Sequence, residues 1–87
     1  MRHRREILGT YRRGDRLSDD ELEFLQRDMQ AIADAVSGYG DLFTLQFAYA
    51  QRVADDCRSF RDARRESAKR AAERAQLAEA FASIDNV

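Results

Sequence analysis

Residues 17–29 read LSDDELEFLQRDM, and this stretch decides the fold class. Ser18 is a strong helix N-cap, and Glu21 follows three residues later, the spacing of a reciprocal capping box. Leu17 before the cap and Leu22 after it can form a hydrophobic staple. Asp19, Asp20 and Glu21 then occupy the first turn, where the helix dipole favours negative charge. Leu22, Leu25, Met29, Ile32 and Val36 step by three and four along one stripe, which predicts a helix over about 18–37, stopped at Gly38. Capping therefore accounts for the acidic cluster. Adjacent helix positions point about 100° apart, so these carboxylates do not converge on one ion, and no metal or cofactor is expected.

After GYGD at 38–41, with Asp41 as the expected cap, helical spacing resumes. Leu42, Leu45, Tyr49, Val53 and Phe60 share a face. Two helices joined by so short a turn lie antiparallel. RDARRESAKRAAERAQLAEAFASI, from Arg61 to Ile84, is Ala-rich with alternating charge and continues the second helix. The expected architecture is all-α: an antiparallel helical hairpin with a long second helix, dimerising into a helical bundle. Residues 1–16 form a basic arm or short helix, with Ile7, Leu8 and Tyr11 able to pack back. Residues 17–64 form the hairpin core, and 65–87 an Ala/Arg-rich helical extension.

The chain has 87 residues, 44% of them apolar and 36% charged, with four glycines and no proline. A chain this short often gains stability by oligomerising. Its net charge is -1, but the charges are segregated. Arg2, Arg4, Arg5, Arg12, Arg13 and Arg16 dominate the start, acids dominate 17–57, and Arg58, Arg61, Arg64, Arg65, Lys69, Arg70 and Arg74 restore basic character. That alternation suits polar docking surfaces better than one nucleic-acid face. MRHRREIL opens basic but no apolar run follows, so neither signal peptide nor membrane span is expected. With Cys57 as the single cysteine, a reducing cytoplasm is the expected setting.

The residues offer little catalytic chemistry. His3, the only histidine, falls in the N-terminal segment, and Cys57 stands beside Asp55 and Asp56, which disfavour a thiolate. Glycine-rich phosphate loops and calcium-loop spacing are absent. Arg13-Gly14-Asp15 reads as a turn. No enzymatic activity is expected. What the hairpin leaves over is apolar surface. Phe43, Phe47, Ala50 and Ala54 form a second row on the second helix, roughly 100° from the first. Phe24, Ala31 and Ala35 lie opposite the stripe of the first helix. These rows call for a second copy of the chain, a target protein, or fold-back by the N-terminal segment or by Leu77–Phe81. Phe24, Tyr39, Phe43, Phe47, Ala50, Arg52 and Ala54 are the expected interface residues, with Tyr39, Phe43, Phe47 and Arg52 as anchors.

YRRGDRLSDDELEFLQRDMQAIADAV followed by YGDLFTLQFAYAQRVADDCRSFRDAR, within residues 11–64, resembles small helical proteins of Pseudomonas phages and prophages, the family that includes the quorum-sensing anti-activator. The shared run is Tyr-Arg, a Gly, Leu-Ser-Asp-x-Glu-Leu, a short break and an aromatic-rich helix. The resemblance implies a dimeric hairpin that inhibits a host protein by occlusion, such as a quorum-sensing transcription activator or the ATPase that drives type IV pilus extension. It assigns no individual binding residue, and the segment after residue 64 has no counterpart in it. Two other readings stand beside it: a nucleic-acid-associated protein using the basic arm and tail, and a structural phage assembly subunit.

Overall fold

The computed structural model describes residues 1–85; the last two positions of the expected extension lie outside them. The described residues form α1 (Arg4–Arg12), α2 (Asp19–Ser37), a 3-10 turn (Gly40–Phe43) and α3 (Thr44–Asp85). The all-α expectation holds, with α2 and α3 forming the hairpin. With 42 residues, α3 is about 63 Å long at 1.5 Å per residue, and it sets the 70 Å long axis of the molecule.

Each expected device at the start of α2 is present. Ser18 Oγ accepts from Glu21 N, and Glu21 Oε1 accepts from Ser18 N, both at 3.1 Å. Leu17 and Leu22 are both buried. The N-terminal segment is a helix, not a loose arm. α1 ends in a Schellman closure, with Gly14 N donating to Tyr11 O and Asp15 N to Thr10 O. Gly14 takes φ 75°, a left-handed conformation that glycine adopts without strain. The Arg-Gly-Asp triplet is thus the stop of α1.

At the α2–α3 connection, α2 stops at Gly38 as its spacing predicts; Gly38 keeps a right-handed conformation, and the left-handed residue is Gly40 at φ 62°. Asp41 does not cap α3 with its side chain; it lies inside the 3-10 turn and its carbonyl accepts from Thr44 Oγ1.

The larger correction concerns the face α3 turns to α2. Of Leu42, Leu45, Tyr49, Val53 and Phe60, only Val53 is buried, while Leu42 and Leu45 are 74% and 81% exposed. The buried residues of α3 are Ala50, Val53, Ala54 and Cys57, packed in one cluster with Ile7, Leu17, Leu22, Leu25, Met29 and Ala33. Ala50 and Ala54, expected at an interface between proteins, are instead 2% and 0% exposed within the chain. The physical reason is side-chain size. α2 contributes Leu22, Leu25 and Met29, and close packing at interior density leaves room for small residues opposite them.

Polar contacts mark where the hairpin ends. Arg61 donates to Gln26 Oε1 at 2.8 Å. Arg64 donates to Asp19 Oδ1 and to the Leu17 carbonyl, both at 2.6 Å. Past Arg64, every described side chain of α3 is exposed.

Candidate protein-interaction surface

The hairpin turn is the first place where apolar residues remain uncovered. Tyr39 and Phe43 meet edge to face with ring centroids 5.6 Å apart, a geometry that aligns the positive ring edge with the negative face. Tyr39 is 64% exposed, although it carries one of the largest apolar surfaces available to a side chain. Phe43 is half-buried. Phe47 follows one helical turn on, 38% exposed, and lines a shallow groove with Val36, Ser37, Gly40 and Thr44. The positive φ of Gly40 makes this arrangement possible, because it lets the chain reverse tightly enough to bring Tyr39 onto Phe43. Three of the expected anchors therefore come together at one end of the hairpin.

The remaining expected residues do not join them. Ala50 and Ala54 are interior. Phe24 is half-buried against the core cluster and shares a groove with Met1, Asp20, Glu23, Arg27 and Asp28. The N-terminal segment crosses this side of α2, where Arg2 Nε pairs with Glu21 Oε2 and Arg4 Nε with Asp28 Oδ2, each at 2.6 Å. Fold-back of the chain's own N-terminus thus supplies much of the partner that Phe24 lacks in a bare hairpin. Arg52 is exposed on another side of α3, beside Tyr49 in a groove between α1 and α3.

The groove between α1 and α3 was hidden from sequence reasoning. It is lined by Tyr11, Arg12, Tyr49, Arg52, Asp56 and Phe60 and encloses about 450 Å³. The Tyr11 hydroxyl donates to Asp56 Oδ2. Burial first, then this bond, pushes the Tyr11 hydroxyl well above its ordinary range. Arg12 donates to the Tyr49 hydroxyl at 2.9 Å, with its guanidinium 5.6 Å from the Tyr49 ring centroid. The nearest sequence signal was Tyr11 at the end of a short amphipathic stretch, which cannot say which helix it meets.

Cys57 is fully buried, and burial, reinforced by Asp56, pushes its thiol up to about 11. It is therefore a protonated packing group at neutral pH. Among the described residues no group of three or more His, Cys, Asp or Glu could hold a metal ion, and no helix is long and apolar enough to cross a membrane. No family model, curated protein or solved structure matches this chain.

Proposed function

We propose that the chain is a small non-enzymatic regulator that works as a homodimer and inhibits a host protein by covering its functional surface. The observation that carries this reading is the aromatic cluster Tyr39–Phe43–Phe47 at the hairpin turn, apolar and left open by the chain's own fold. Aromatic side chains dominate interface energy once buried, and a rigid helical turn presents them with little ordering cost. The resemblance over residues 11–64 supplies the target classes, a quorum-sensing transcription activator or the pilus-extension ATPase.

The test measures promoter-DNA binding by a purified activator, and ATP hydrolysis by the purified pilus motor, with and without the chain. The expected result is loss of one of these activities with wild-type chain and its recovery when Tyr39→Ala and Phe47→Asp are combined. Inhibition that survives both substitutions would remove the turn as the binding surface. Two unaffected targets would overturn the assignment of these target classes.

A further inference from the structure

Six of the exposed large apolar residues of the turn and α3 follow a pattern that the hairpin does not use; Tyr39, Phe47 and Phe60 stand outside it. Leu42, Leu45 and Tyr49 are spaced by three and then four residues. Leu77, Phe81 and Ile84 are spaced by four and then three. The second triplet is the first read backwards, and the midpoint of each matched pair falls on Ala63. All six are exposed, Phe81 by 64% and Ile84 by 66%. Counting along the helix places Leu45, Tyr49, Leu77, Phe81 and Ile84 on one side of α3, roughly 130° from the side that faces α2; Leu42 precedes them in the 3-10 turn. A straight helix cannot fold one end onto the other, so neither triplet meets its counterpart within the chain; Tyr49 alone has an intrachain neighbour, Arg12.

We propose that two copies of the chain pair through antiparallel α3 helices about a two-fold axis at Ala63. The proposal deepens the homodimer of the proposed function and is independent of which host protein is bound. In this arrangement Leu42 faces the partner's Ile84, Leu45 the partner's Phe81, and Tyr49 the partner's Leu77, and the same contacts recur at the other end. Such reciprocity is what an isologous two-fold interface requires. A parallel pairing would instead set Leu45 against its own copy and leave the reversed spacing without a function.

One observation and two consequences of this register favour a second copy as the occupant. The groove between α1 and α3 runs along this side, with Tyr49, Arg52, Asp56 and Phe60 on its floor, so the partner's outer helix has a channel beside α1. Next, Asp56 falls opposite the partner's Arg70, an attractive pair repeated by symmetry. Finally, a strip about 63 Å long and roughly 10 Å wide amounts to about 1,200 Å² over both partners, the lower end of stable specific interfaces. Two layers are unfavourable: Arg52 lies opposite the partner's Arg74, and Phe60 opposite the partner's Glu66. The first gives the register a distinctive electrostatic signature.

Light scattering coupled to gel filtration tests self-association, with twice the 10.0 kDa chain mass as the expected result. A wild-type monomer would overturn both this arrangement and the homodimer. The arrangement itself is tested by thiol cross-linking with a short bis-maleimide in a Cys57→Ser background. Ala63→Cys alone should cross-link to its own copy. Leu45→Cys and Phe81→Cys should each fail alone and cross-link when mixed. Self-cross-linking of Phe81→Cys in a dimer of correct mass would overturn the antiparallel register while leaving the homodimer intact. Phe81 lies outside the hairpin core, so Phe81→Asp should yield a helical monomer. Arg74→Glu should tighten the dimer several-fold by facing Arg52, and weakening instead would rule out this register.

Discussion

The inner and outer halves of α3 share one unbroken helix and nearly the same small-residue row, yet they have opposite environments. Ala50, Ala54 and Cys57 continue at the same spacing through Arg61 and Arg64 to Ala68, Ala71, Ala75, Ala78 and Ala82. The inner members are buried and the outer alanines are bare. A row of alanines therefore does not create a core. It becomes one only where a facing helix brings Leu22, Leu25 and Met29, and it stops being one where Arg64 ties off the start of α2. Outside that point, helix propensity and flanking ion pairs such as Arg70–Glu66 support the helix.

The contrast can be broken most severely from the α2 side. Leu25 is fully buried, and Leu25→Ala should destabilise the hairpin by about 3 kcal/mol, read as a lower midpoint in chemical denaturation. A matched pair of glycines sharpens the contrast. Ala54→Gly should cost about 2 kcal/mol, combining lost helix propensity with a lost buried methyl. Ala72→Gly should leave the hairpin midpoint nearly unchanged and lower only total helicity by circular dichroism.

Ser18→Ala should cost about 1 kcal/mol by removing the cap of α2, with the loss confined to the hairpin transition. The smallest effect concerns pH. The Arg2 guanidinium, helped by the Ser18 backbone N–H, holds the Glu21 carboxyl down at about 2, against an ordinary 4.5. A depressed carboxylate stabilises the fold fully above its unfolded value and loses that contribution as pH falls through its folded value. Hairpin stability should thus decline between pH 4.5 and about 2. Glu21→Gln should be less stable than wild type at neutral pH, with the difference shrinking across that window.

At the other end of the scale, burial raises the Cys57 thiol from 9.0 to about 11. That contribution is complete below pH 9 and is lost as pH rises through about 11. Replacing Cys57 by Ser should flatten the alkaline decline in midpoint, whereas an unchanged slope would show that Cys57 does not drive it.

Much of α2 was legible because its signals are local. A cap, a box partner three residues on and a staple act within one turn, so their spacing carries their meaning. The face of α3 was harder, because two apolar rows run along it. Ranking by size favours Leu42, Leu45, Tyr49 and Phe60, whereas packing against a leucine-rich α2 selects Ala50, Ala54 and Cys57. The unbroken run of four and three from Phe43 through Phe47, Ala50 and Ala54 to Cys57 was the available signal, and it depends on counting cysteine as a small hydrophobe. For the candidate surface, Tyr39, Phe43 and Phe47 were legible as a group. Ala50 and Ala54 were not separable from them without knowing which way the helix faced.

Helix α2 with its cap, and the unbroken helix after the turn, could be read from local sequence, because these depend on residues within a few positions of each other; α1 could not, since residues 1–16 read equally as an arm. Packing settled which row of α3 is interior and that α1 docks through Tyr11 and Asp56. Those outcomes depend on the sizes and charges of side chains distant in sequence, which meet only once the helices pack.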